Sequence, residues 1–227
     1  MKLRRIIAAA LIAVFALIGF SSCGSDDACA YASSRKTKGR DISYVEMSVK
    51  DYGKVVILLD KTTAPITVGN FLKLVNEGFY DGLTFHRIIK DFMIQGGDPD
   101  GNGTGGSKDT IFGEFSSNGY ENDISHIRGV ISMARSNDPD SASSQFFICN
   151  ADARDSLDGN YATFGYVVKG MSVVDKITED VFPKTALAEY YGTAYHQYWA
   201  KYGNGAIEND ADKPVIEYIK VLDNYKH

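Results

Sequence analysis

From Ile42 onward the chain breaks into short apolar runs separated by clusters of Gly, Asn and Asp, and that rhythm leaves few architectures open. The runs are Tyr44–Val49, Lys54–Leu59, Thr84–Ile89, Phe92–Gln95, Val130–Met133, Gln145–Cys149, Thr163–Val168 and Val215–Leu222. They are rich in Val, Ile, Phe and Tyr and bounded by turn residues, so they read as strands. Eight such strands in one domain point to a closed barrel, which removes exposed edges. Two helices interrupt them. One follows Pro65, a residue suited to a first helical turn, carries Phe71, Leu72 and Val75 on one face, and stops at Gly78. The other is short, from about Met171 to Ile177. A third helical pattern between Ala186 and Tyr202 spaces Leu187, Tyr191, Tyr195, Tyr198 and Tyr202 four, four, three and four residues apart, ending at Gly203. Such a stripe either packs on the barrel as an aromatic face or presents a partner-binding surface, and spacing alone allows both.

The segment ahead of the barrel has another character. Lys2, Arg4 and Arg5 precede an uncharged, mostly apolar run from Ile6 to Phe20, the pattern of a secretory leader. Ser21 and Ser22 then lead into Cys23, an arrangement that resembles the lipobox of bacterial lipoproteins, in which the cysteine becomes the lipid-modified first residue of the mature chain. Phe20 departs from that pattern, where Leu is usual. Two other readings stay open: cleavage at Ala28-Cys29-Ala30, or an uncleaved anchor, although a full span asks for about 20 apolar residues. All three place the domain outside the cytoplasm, in a cell envelope and facing the periplasm or the outside. Gly24 to Arg40 is polar and aperiodic and reads as a flexible tether. The expected organisation is thus a leader at 1–22, a tether at 23–42 and one domain at 43–227, with a helical insert at about 180–212. If Cys23 carries lipid, Cys29 and Cys149 remain; spacing leaves open both a disulfide between them and a small buried thiol at Cys149. Removing the three leader cations takes the net charge from −5 to −8, a balance poorly suited to holding nucleic acid.

Several short motifs mislead. Gly101-Asn102-Gly103-Thr104-Gly105-Gly106 fits G-x-G-x-x-G, but Ser107-Lys108-Asp109-Thr110 carries no apolar helical stripe, so the dinucleotide reading fails on context. Asp98, Asp100, Asn102, Gly103 and Asp109 fall at EF-hand-like positions, yet the twelfth is Asp rather than the longer Glu, and a strand leads in where a helix should. His86, His126, His196 and His227 share no metal-ligand spacing, and no serine sits in a nucleophile elbow. Neither a cofactor nor a metal is expected.

What remains is a set of blocks in a fixed order: Phe85-His86-Arg87-Ile88-Ile89, Phe92-Met93-Ile94-Gln95-Gly96-Gly97-Asp98, Ser132-Met133-Ala134, Ser144-Gln145-Phe146-Phe147-Ile148, Leu157-Asp158-Gly159 and Phe164-Gly165. This set resembles the cyclophilin family of peptidyl-prolyl cis–trans isomerases, as do Ala64-Pro65-Ile66-Thr67 with Asn70-Phe71, and Gly78-Phe79-Tyr80-Asp81-Gly82. The resemblance runs from about Ser43 to Ile177 and takes in the last strand. It implies a mostly β fold, an eight-stranded antiparallel barrel capped by two helices, and the isomerisation of X–Pro bonds in unfolded or flexible polypeptides. A non-catalytic module that only holds proline-containing partners is the rival reading.

The resemblance also implies roles. Arg87 matches the catalytic arginine, and Gln95 the glutamine that bonds the substrate backbone and helps hold it. Phe92, Met93, Phe147 and Leu157 match the pocket for the proline ring, while Ala134 and Arg135 match the strand edge along which substrate lies. Three positions depart from the family pattern. Arg135 replaces a usual Asn, Tyr161 stands where eukaryotic members commonly have His, and Ser156 stands where they have the Trp that lines the cyclosporin site. The tyrosine-striped insert is a further departure, absent from the compact family pattern; it is the expected place for an envelope partner.

Overall fold

The computed structural model describes residues 39–181, 204–223 and 225. The leader, Cys23, Cys29 and the tyrosine stripe lie outside the described residues. Eight strands form one antiparallel sheet: β1 (Ile42–Val49), β2 (Gly53–Asp60), β3 (Thr84–Ile89), β4 (Met93–Asp98), β5 (Val130–Met133), β6 (Phe146–Cys149), β7 (Thr163–Lys169) and β8 (Ile216–Val221). Their spatial order is β3-β4-β6-β5-β7-β2-β1-β8. The two ends of that order meet at an antiparallel bridge between Thr84 and Val215. There Phe85 N–H donates to the Pro214 carbonyl at 2.9 Å and Ile216 N–H to that of Leu83 at 2.8 Å. The barrel expected from eight strand-like runs is present.

Alternation along the strands fills the interior. Phe71, Phe146 and Phe164 meet there with Tyr80 and Phe85, at ring-centroid separations of 5.2 Å for Phe71–Phe164 and 5.7 Å for Phe71–Phe146. Tyr80 is fully enclosed, and its hydroxyl donates to the Ser144 carbonyl at 3.1 Å. Helices α1 (Pro65–Asn76), α2 (Arg154–Leu157) and α3 (Met171–Val181) follow in chain order, and α1 and α3 press buried faces onto this interior. Ala64 supplies no side-chain cap for α1. The buried Glu114 carboxylate does so instead, accepting from Ile66 N–H (3.0 Å), Thr67 N–H (2.8 Å) and the Thr67 hydroxyl (2.7 Å). A negative charge among the free amides of a helix start is doubly favourable, as acceptor and as counter-charge to the helix dipole.

Several elements and boundaries differ from the sequence reading. The one-turn helix α2 is additional to the two expected, being too short to show a period. Strand β4 runs on to Asp98 and begins after Phe92. Arg40 and Asp41, read as tether, belong to the domain: Arg40 Nε pairs with buried Asp60 at 2.8 Å, and Asp41 N–H donates to Thr62 Oγ1 at 2.8 Å. The limits of the insert also differ, because α3 continues to Val181 and residues 204–207 pair with the edge of β3.

Candidate active site

The register of the sheet collects the site. Arg87 on β3 lies opposite Gln95 on β4, Gln95 opposite Phe147 on β6, and Phe147 opposite Ser132 on β5. Four residues far apart in sequence thus form one row across four strands, on the outer face. The period of two decides this: Phe146 and Ile148 point into the barrel while Phe147 and Cys149 join a separate apolar cluster outside it. Gly96 and Gly97 let the strands approach closely here. Gly97 has φ of +82°, and a Cβ on it would stand 2.6 Å from the Ser144 carbonyl oxygen.

A cleft of about 500 Å³ lies over this row. All nine residues marked by the sequence line it: Arg87, Gln95, Phe92, Met93, Ala134, Arg135, Phe147, Leu157 and Tyr161. Its apolar half is built by Met93, Phe147 and Leu157, with Phe92, Ala134 and Tyr161 packed against them. The Tyr161 ring stands edge-on to Phe147, with centroids 5.8 Å apart at 85°. Ser156 is exposed and turned to its own helix, its hydroxyl donating to the Ala153 carbonyl at 3.1 Å. The substituted Arg135 is anchored locally: Nε donates to the Asn160 carbonyl at 2.9 Å, and the guanidinium sits 4.8 Å from the Tyr161 ring centre and 5.1 Å from that of Phe115. Two of the departures from the family pattern, Arg135 and Tyr161, therefore touch each other.

The polar half is a relay. Arg87 Nη1 donates to Gln95 Oε1 at 2.9 Å, Gln95 Nε2 donates to Gln145 Oε1 at 2.9 Å, and Gln145 Nε2 donates to the Gly105 carbonyl at 2.7 Å. Arg87 Nε donates to the Asn204 carbonyl. Partial burial pulls the Arg87 guanidinium below its usual value, but such a group stays charged at any physiological pH. Asp98 organises the glycine-rich loop that borders the cleft. It accepts from the amides of Asp100 (2.9 Å) and Asn102 (3.1 Å) and, most closely, from that of Gly103 (2.5 Å). Burial pushes its carboxyl up, and these amides more than offset that, leaving it below the ordinary carboxylate range. Gly105 must be glycine, since a Cβ would stand 2.2 Å from Asp98 Oδ1. The calcium-like spacing is thus the signature of a carboxylate that ties down its own loop.

A family profile described as "Cyclophilin type peptidyl-prolyl cis-trans isomerase/CLD" matches residues 44–189. The chain belongs to this family. It is 44% identical over 139 residues to peptidyl-prolyl cis-trans isomerase A of Dickeya dadantii, covering 58% of this chain and 71% of that one. It is 45% identical over 126 residues to isomerase ppi1 of Schizosaccharomyces pombe, covering 55% and 79%. A cyclophilin type isomerase of Cryptosporidium parvum, solved in the presence of the dipeptide Ala-Pro, superposes with a TM-score of 0.63 at 26% identity, over 80% of this chain and 99% of that one. Like its relatives, this cyclophilin is a peptidyl-prolyl cis–trans isomerase.

Sequence reading missed other parts of the cyclophilin site. His126, set aside for want of a metal spacing, is buried beneath the pocket, its ring stacked on Phe147 at 5.9 Å and 15°. Its Nδ1 lies 2.8 Å from Asp158 Oδ1 and its Nε2 3.1 Å from Ser132 Oγ. Burial lowers its pKa more than Asp158 raises it, so the ring is neutral near pH 7. A carboxylate can only accept, which assigns the proton to Nδ1 and makes Nε2 the acceptor for the Ser132 hydroxyl. Gln145 lies within a motif that gives it no role of its own, and Asn204 and Ala206, which line the cleft on the Arg87 side, carry no signal in the sequence.

Proposed function

We propose that this isomerase works by aiming Arg87 at the prolyl nitrogen of a peptide whose proline ring lies on Phe147. The observation that carries the reading is the Arg87–Gln95–Phe147 row, which places a fixed cation beside an apolar pocket on one face. Rotation about the X–Pro bond faces a barrier of roughly 18–20 kcal/mol because amide resonance must be broken. In the twisted state the prolyl nitrogen regains a lone pair, and a guanidinium donor interacts with it more strongly than with the planar amide. Such differential binding is the condition for catalysis. The apolar wall formed by Phe92, Met93, Phe147, Leu157 and Tyr161 holds the ring while the acyl side turns. Gln95 fixes the arginine and, as a member of the row facing the cleft, can bond substrate backbone, and the Ala134–Arg135 edge offers main-chain groups to an extended peptide. No bond is made, so neither nucleophile nor cofactor enters the scheme. Arg87→Ala should lower kcat/KM by about a hundredfold or more in a protease-coupled proline-peptide assay. An unchanged rate in a folded Arg87→Ala protein would sink the mechanism and favour the non-catalytic holding module.

The clients follow from the leader. Lys2, Arg4 and Arg5, the apolar run to Phe20, and Ser21-Ser22-Cys23 support export, cleavage before Cys23 and lipid on its sulfur. Acyl chains hold membranes through about 0.8 kcal/mol per buried methylene, so several chains on one residue anchor stably where one would not. The isomerase would then act on exported polypeptides at an envelope membrane, and the tyrosine-striped segment would offer an envelope partner a docking face. Mass spectrometry of the mature protein tests this. Lipid on Cys23 supports it, while a start at Tyr31 or retention of Met1 to Phe20 overturns it.

A further inference from the structure

Resting on the Arg87 mechanism above, we infer that Asn204 is a positioning residue for catalysis, one that aims the guanidinium rather than touching substrate. The segment Asn204–Ile207 lies along the outer edge of β3. Ile88 N–H donates to the Gly205 carbonyl at 2.8 Å, Ile207 N–H donates to the His86 carbonyl at 2.9 Å, and Ala206 forms an antiparallel bridge with Arg87. The cross-strand row of the site is therefore five residues wide, Ala206–Arg87–Gln95–Phe147–Ser132. Gly205 and Ile207 are buried, and Ile207 belongs to the barrel interior, which pins the segment from within.

The contact that matters is that from Arg87 Nε–H to the Asn204 carbonyl. A guanidinium held only through Nη1 by Gln95 can still swing about that bond. A second bond at Nε, on another edge of the same planar group, removes that freedom and fixes the plane. Among the described residues Nη2 carries no hydrogen bond, so the two anchors leave that end of the fork for the cleft. Main-chain carbonyls are aimed by their turns, and here the turn is set by the Asn204 side chain. Its Oδ1 accepts from Ala206 N–H at 3.0 Å, and Gly205 between them adopts φ of +74°, a conformation that suits glycine. Asn204 itself is exposed, so neither packing nor burial explains its presence. Further along, the chain also reaches the glycine-rich loop that borders the cleft. Lys213 Nζ, almost enclosed, donates to the Gly101 carbonyl at 2.7 Å and so joins the returning chain to the glycine-rich loop.

The test is a kinetic cycle on the full chain with a proline-peptide substrate. Asn204→Ala should lower kcat by roughly tenfold, since catalysis is steep in the placement of the acting group, with KM within about twofold of the parent. Asn204→Asp, which keeps an Oδ1 acceptor, should recover most of the rate. Gly205→Ala, which strains the turn from its other side, should repeat the Asn204→Ala pattern. In an Arg87→Ala background Asn204→Ala should change little, because the group it aims is gone. The inference falls if Asn204→Ala leaves kcat unchanged, if only KM moves, or if the loss is the same with and without Arg87, as a general loosening would give. Should Arg87→Ala itself leave the rate intact, the failure belongs to the mechanism and not to Asn204.

Discussion

The two faces of the same strands make different use of the same kind of residue. Phe146 and Phe147 are neighbours on β6, are 0% and 4% exposed, and would look alike on any burial scale. Phe146 meets Phe71, Tyr80 and Phe85 in an interior that is apolar throughout. Phe147 meets a neutral histidine, a tyrosine edge and the open cleft, one residue from the Gln95–Arg87 relay. The interior is held by area and shape. The outer face is held by register, because each functional group owes its place to the residue paired across from it. A slip of one residue on β6 would exchange the two phenylalanines and abolish core and site together.

The sharpest way to break this comparison is to truncate each ring in turn. Phe146→Ala should cost about 3–5 kcal/mol of stability in chemical denaturation, as core Phe truncations do, with kcat/KM of the folded fraction close to the parent. Phe147→Ala should do the reverse. Proline-peptide kcat/KM should fall by more than tenfold, while stability drops by about 1.5–3 kcal/mol, since that ring lines an open cleft and its loss leaves no enclosed cavity. Equal stability losses would mean that the outer cluster is part of the core after all.

A smaller effect should come from pH, and it should come mainly from the outer face. His86 and His126 are both buried, and burial sets both pKa values below the ordinary histidine range. The unfolded chain therefore takes up protons first as pH falls through about 6.5, while the folded protein resists. Stability should be flat above that pH and decline below it, by up to about 1.4 kcal/mol per pH unit for each histidine. Denaturation curves from pH 8 to 5 check this, and His126→Gln should flatten the slope. A stability that rises toward pH 5 would show that one of the rings is charged in the folded state.

The smallest change is at the rim. Ser156→Trp should leave stability within about 0.5 kcal/mol, because Ser156 is exposed, yet it should tighten cyclosporin binding if α2 keeps the family path. Calorimetric titration of both proteins decides it. Tight binding by the unsubstituted chain would place another group where the family's tryptophan sits.

The strands were legible because turn residues punctuate them, and the nine cleft residues because their motifs survive almost intact. What periodicity could not do was orient Phe146-Phe147-Ile148-Cys149, where four apolar residues in a row conceal which face is which. Other parts were hidden by distance. Glu114 caps a helix that begins 49 residues before it, and Asn204 reaches Arg87 across 117 positions, pairings that no local pattern announces. His126 was hidden differently: its neighbours Asp158 and Ser132 matter only once the register brings Phe147 over the ring. The loop after β4 has calcium-like spacing because a carboxylate that binds its own backbone needs the same acidic and glycine residues as one that binds a cation.

The seam between Thr84 and Val215 has a consequence for the birth of the molecule. β8 pairs with β1, the first strand among the described residues, and its approach also seals β3. At 5–20 residues per second, on the order of 10–30 s of synthesis separates β1 from β8. Throughout that interval neither seam can close, the edges of β1 and β3 stay unpaired, and the strand bearing Arg87 lacks its outer neighbour. The domain thus keeps two open strand edges, and an incomplete frame around Arg87, until β8 has been made.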